Sequence, residues 1–151
     1  MKINDKMSKS KERQKLSWEG MFYSIQRIDL LIVSISGAGI YVGLETIKYL
    51  SENKLDTSLL VKISSALFLF GIIINFLSQI FGYKANEQDF LMCDAKIKCD
   101  DNPNESEKEE INKLDESSEW FSRRTNFLNY ISMGFMFAGL MLMMYYFLFT
   151  F

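Results

Sequence analysis

The stretch ISSALFLFGIIINFLSQIFGY, residues 63–83, decides the fold, because it runs for 21 residues without a charge. At a rise of about 1.5 Å per residue, a helix of that length covers the roughly 30 Å hydrocarbon core of a bilayer. A helix of a water-soluble bundle would need a polar stripe, and Ser65 to Ile74 has none wide enough. Working outward, Thr125 to Phe151 is a second charge-free run, of 27 residues. Leu30 to Leu44 is a third, extended by Ile28 before it and by Thr46, Ile47, Tyr49 and Leu50 after it. Asp29, Glu45 and Lys48 fall near the ends of that segment, where side chains can reach the interface. The reading is an all-α membrane protein with three transmembrane helices, at 28–50, 59–83 and 125–151.

Composition narrows the chemistry. Of 151 residues, 48% are hydrophobic and 24% charged, the formal net charge is −2, and histidine is absent. That removes the commonest general base, the commonest zinc ligand and every Ser-His or Cys-His nucleophile. No Gly-x-x-x-x-Gly-Lys-Ser/Thr loop, HExxH or GxSxG occurs. Cys93 and Cys99 stand alone, with no further cysteine or histidine to complete a metal site. No enzyme, metal or cofactor is expected. The basic N-terminal segment lacks the short apolar core of a cleaved signal peptide.

Lysine and arginine set the expected orientation. Residues 1–27 carry seven, 45–62 carry three and 84–124 carry seven. Basic residues favour the cytoplasmic face. The N-terminus and 84–124 are therefore expected inside, the 51–58 loop and the C-terminus outside, as in a multi-pass protein of the cell inner membrane. Within 1–27, Trp18, Met21, Phe22, Ile25 and Ile28 recur at helical spacing behind Lys11, Arg13 and Lys15, the pattern of an amphipathic helix on the inner leaflet. Segment 84–124 reads as a cytoplasmic helical hairpin turning at Pro103, with Asn104 and Glu107 spaced as a capping box. Residues 105–151 then form one helix of roughly 70 Å.

Four groups of residues are candidates for function. On the second span Ser64, Gly71, Asn75, Ser78 and Gly82 lie within about 40° of one line, either a helix contact or a pore wall with Asn75 as its polar point. On the first, Gly39 and Gly43 form a GxxxG packing pattern, and Ser34, Tyr41, Glu45 and Lys48 occupy the opposite side. Glu45 either pairs with Lys48 or Lys62, or rings an outer pore mouth. Arg27, Lys84, Arg123 and Arg124 form a collar at the inner membrane edge, which either orients the helices on headgroups or binds an anion. Three thin helices enclose no water path, so a pore requires a homo-oligomer.

The basic lead-in from Lys9 to Lys15, the three spans and the charged hairpin between the second and third resemble small membrane effectors of bacterial antiphage systems that partner a nucleotidyltransferase, particularly the Hailong type. The resemblance covers the architecture of most of the chain and rests on no diagnostic motif. It implies an oligomeric channel held shut by a single-stranded deoxyadenylate oligomer, made by the partner enzyme and bound on the cytosolic side. The expected function is thus a membrane channel or pore-forming effector gated from the cytoplasm by a nucleotide-derived anion. The alternative is a non-conducting membrane anchor or regulatory subunit of a larger complex.

Overall fold

The computed structural model describes the backbone of residues 2–56, 58–98 and 104–150, and the side chains of 23, 26–56, 58–96 and 104–149. The described residues form three helices and no strand: α1 (Lys2–Glu52), α2 (Leu59–Lys98) and α3 (Glu105–Thr150). Each contains a segment long and apolar enough to cross a membrane, within Gln26–Glu52, Leu59–Lys96 and Glu105–Phe149. The single α3 matches the expected continuous helix. The separate amphipathic helix does not occur as an element of its own. With no proline before position 103 to break it, the N-terminal segment continues into the first span as α1. The side chains of Lys9 to Lys15, Trp18, Met21, Phe22 and Ile25, the turn at Pro103, Cys99 and Phe151 lie outside the described residues.

Local chemistry explains where the helices stop. Asn104 and Glu107 make the reciprocal capping box: the Glu107 amide donates to Asn104 Oδ1 and the Asn104 amide to Glu107 Oε2, both at 2.8 Å. Such a cap contributes about 1 kcal/mol. Ser58 caps α2, its hydroxyl accepting from the Leu60 amide. At the end of α1, the Leu55 amide donates to the Leu50 carbonyl at 2.8 Å and the Lys54 amide to Ser51 at 3.2 Å. This is a Schellman turn, and Lys54 takes the left-handed conformation (φ 52°) that glycine usually supplies.

The helices pack with their polarity inverted relative to a water-soluble bundle. Ser36, Ser64, Asn75, Ser78 and Ser132 are buried, while Leu30, Leu44, Leu69, Phe70, Phe76, Ile80, Phe137, Leu148 and Phe149 are exposed. Water would penalise this arrangement at every exposed ring, and hydrocarbon would not. The centre of the bundle is Phe68, fully buried between glycines of two other helices. A Cβ on Gly139 of α3 would lie 3.0 Å from its ring, and one on Gly39 of α1 would lie 2.6 Å from Cζ. Near the 53–58 loop, Leu50, Val61 and Tyr146 close the bundle.

Candidate functional site

The α2–α3 seam is built on a seven-residue repeat. Ser64, Gly71, Ser78 and Ala85 on α2 meet Gly139, Ser132, Thr125 and Ser118 on α3, each seven residues from the next. At every rung a hydroxyl donates to the backbone of the opposite helix: Ser64 to Gly139 (2.8 Å), Ser132 to Gly71 (2.8 Å), Ser78 to Thr125 (3.0 Å) and Ser118 to Ala85 (3.1 Å). The donor alternates between helices. Small residues let the backbones approach closely enough for these bonds, and a seven-residue period keeps the seam aligned over roughly 30 Å. The ladder passes from the apolar segment into the charged one, where Phe81, Trp120 and Phe121 pack beside it with ring centroids 5.0–6.1 Å apart.

This seam accounts for most of the stripe read on the second span. Ser64, Gly71 and Ser78 are buried against α3, and Gly82 faces Thr125. They present no wall to water. Asn75 turns to the other neighbour, donating from Nδ2 to Asp29 Oδ1 at 3.0 Å, and Gln79, one turn on, donates to Asp29 Oδ2. The α2 partner of Asp29 was not legible in its own helix. The clue lay in Asn75 and Gln79 standing four residues apart on α2, a carboxamide pair with no local partner.

Gly39 and Gly43 face α2 of the same chain, against Phe68 and Ser65. The opposite side of α1 is open. At about 100° per residue, Arg27, Ser34, Ala38, Tyr41, Glu45 and Lys48 lie within roughly 40° of one line, and all six are exposed. The exposed face of α2 over the same span is mostly apolar, with Ile63, Leu69, Phe70, Ile73, Phe76, Leu77 and Ile80, and carries Lys62 near its start and Gln79 beside Asp29. Among the described residues no ion pair joins Glu45 to Lys48 or Lys62, which corrects the pairing expected between them. All three side chains are exposed.

The four basic residues of the collar are each engaged on their own helix. Lys84 pairs with Glu87 at 2.7 Å and Arg123 with Glu119 at 2.8 Å. Arg27 sits over the Tyr23 ring at 5.5 Å and Arg124 over Trp120 at 4.8 Å. Arg123 and Arg124 share a shallow hollow of about 260 Å³ with Glu116, Glu119 and Trp120. An anion entering there must compete with Glu119 for Arg123. Among the described residues no cluster of His, Cys, Asp or Glu could hold a metal ion, and Cys93 is a free, exposed thiol.

Comparison with protein-family models, curated proteins and solved structures found no match to this chain.

Proposed function

We propose that copies of this chain assemble in a membrane with the α1 stripe turned inward, forming a channel that is gated from the cytoplasmic side. The observation that carries this reading is the asymmetry of the protomer surface. Ser64, Asn75 and Ser78 of α2 are buried in helix contacts, whereas Ser34, Tyr41, Glu45 and Lys48 remain outside on one line of α1. A charged and hydroxylated line facing lipid is costly along its length, and facing a shared water path is not. Glu45 and Lys48 would stand at the outer mouth and Arg27 at the inner one. The cytoplasmic input is assigned to the collar, where a phosphate-rich oligonucleotide of the kind the Hailong resemblance implies would displace Glu119 and Glu87 from their basic partners. Supply of that ligand by a nucleotidyltransferase belongs to the same proposal.

The test is ion flux from purified protein in liposomes, combined with thiol labelling of Ser34→Cys, Ala38→Cys and Tyr41→Cys in a Cys93→Ser, Cys99→Ser background. Flux blocked by a hydrophilic thiol reagent at these positions is the expected result. No flux from correctly inserted protein rejects the channel and leaves the anchoring subunit. Flux that resists labelling at all three positions places the path elsewhere.

A further inference from the structure

We infer that the basic N-terminal stretch of α1, residues 9–25, docks on the charged part of α2 in a neighbouring copy of this chain, on the face that bears Tyr83 and Phe90. The inference rests on the proposed assembly of copies, but not on the assembly conducting. It starts from apolar surface outside the apolar segments. Phe90 lies seven residues past Tyr83, the last of the charge-free run, and about 10 Å further along the helix. It is nevertheless 72% exposed, with Tyr83 at 66% and Leu91 at 43%. On a charged segment, large apolar side chains gathered on one exposed face mark a contact surface. At 100° per residue Tyr83, Glu87, Phe90 and Asp94 lie within about 40° of one line, an aromatic ridge set with acids.

Charge and height identify the occupant. Residues 1–27 carry seven bases and three acids, whereas residues 84–124 carry seven bases and twelve acids. Helical periodicity places Lys11, Lys15, Trp18, Phe22 and Ile25 of α1 within about 45° of one line, an apolar ridge set with bases. Gln79 meets Asp29, which fixes the height of α2 against the antiparallel α1. Trp18 and Phe90 each stand eleven residues beyond that contact, and Lys15 and Cys93 each fourteen. The two ridges therefore match level by level, rings with rings and Lys11 and Lys15 with Asp94. Copies related by an axis normal to the membrane share one height, so a match read within one chain holds between chains. The chain's own segment leaves the surface uncovered: α1 runs unbroken from Lys2 to Glu52, and Tyr83 and Phe90 are exposed in the single chain. Complementary charge then steers the neighbour's segment to it.

The experiment crosslinks full-length chains in membranes and uses Cys93, a free and exposed thiol on the flank of the α2 ridge. One tagged chain carries Gln14→Cys with Cys93→Ser and Cys99→Ser; a second, differently tagged, carries Cys99→Ser alone. The two are co-expressed and oxidised. A disulfide-linked pair bearing both tags is the expected product. A second chain with Cys93→Ser, Cys99→Ser and Glu116→Cys, exposed on the side of α3 away from α2, should give little of it. Lys11→Glu with Lys15→Glu should cut the yield about fivefold, as should Phe90→Ala, which removes an exposed ring. NaCl at about 1 M, where the Debye length falls to about 3 Å, should lower it as well. A mixed product no greater than with Glu116→Cys overturns the docking, and so does a yield indifferent to both charge reversal and salt. Should the reversed chain not insert, the salt series with the parent lysines decides. Gln14→Cys bonding only to Cys93 of its own chain overturns it too, since the occupant would then be the chain's own α1. Native mass spectrometry separates the two possible failures: an intact oligomer without the mixed product overturns the docking alone, and a monomer rejects the assembly with it.

Discussion

Replacing Gly39 by alanine should be far more damaging than the same change at Gly37, Gly71 or Gly134. The new Cβ would lie 2.6 and 2.7 Å from Cζ and Cδ2 of Phe68. Carbon atoms rest about 3.5–4.0 Å apart, so the ring or the helix must give way by about 1 Å. The ring has no room to retreat, because it is fully buried and the Gly139 backbone closes its other side. Overpacking of this kind costs about 1–3 kcal/mol, against a gain of at most about 1 kcal/mol from replacing glycine in a helix. Gly71→Ala meets nothing nearer than 3.4 Å and should be close to neutral. Gly37→Ala and Gly134→Ala have nothing within 4 Å and should be neutral or stabilising. Unfolding in detergent with increasing dodecyl sulfate, followed by circular dichroism, ranks the four. Phe68→Leu should partly rescue Gly39→Ala in a double-mutant cycle. Gly39→Ala as stable as Gly37→Ala would refute the slot.

Three further outcomes follow from the same geometry. Lys54→Gly should stabilise the protein by roughly 0.5–1 kcal/mol, since glycine takes the left-handed position without a Cβ penalty, and the same unfolding assay reads it. Ser64→Ala and Ser132→Ala should each cost only about 0.6 kcal/mol, the usual value of a hydrogen bond between membrane helices, whereas Ser132→Leu should force α3 off α2 and be read as lost crosslinking between cysteines placed across the seam. Arg123→Gln with Arg124→Gln should abolish salt-dependent binding of single-stranded oligodeoxynucleotides in a filter or anisotropy assay; binding that persists unchanged removes the collar as the ligand site.

What could be read in the sequence is what depends on neighbours in the chain. Three helices long and apolar enough to cross a membrane follow from the charge-free runs, and the Asn104–Glu107 cap from a spacing of three, and the structure contains both. What could not be read is the register between helices. Gly39 announces a close contact, but nothing local says that the occupant is Phe68 or that Gly139 lines the other side. Ser64, Gly71 and Ser78 were legible as a stripe, yet their partners Gly139, Ser132 and Thr125 lie 75, 61 and 47 positions further along the chain. A repeat of small residues every seven positions on α3, beginning at Ser118, was the available signal. The α1 stripe shows the same limit. Ser34, Tyr41, Glu45 and Lys48 fall on one side by periodicity alone, but that this side is the free one depends on where α2 packs.

The distribution of directional contacts assigns different mechanical roles to the helices. Four hydroxyl-to-backbone bonds lock α2 to α3 along both the apolar and the charged segments, so a displacement of one must carry the other. Among the described residues, the side-chain hydrogen bonds joining α1 to α2 both end on Asp29, and the rest of that contact is packing, of Gly39 and Gly43 on Phe68 and Ser65 and of Leu50 with Val61. Glycine contacts resist approach but not sliding or rotation. The α2–α3 pair is thus the rigid frame, and α1, which bears the exposed polar stripe, is joined to it by packing and by side-chain hydrogen bonds that converge on one carboxylate. In the proposed channel, a signal reaching the base of α3 at Arg123 and Arg124 would travel through the ladder towards Asn75 and Gln79. Two amides shifting relative to one carboxylate is the smallest movement by which the frame could turn α1. In the proposed channel, this places the coupling between ligand and path at Asp29 rather than at any residue of the path itself.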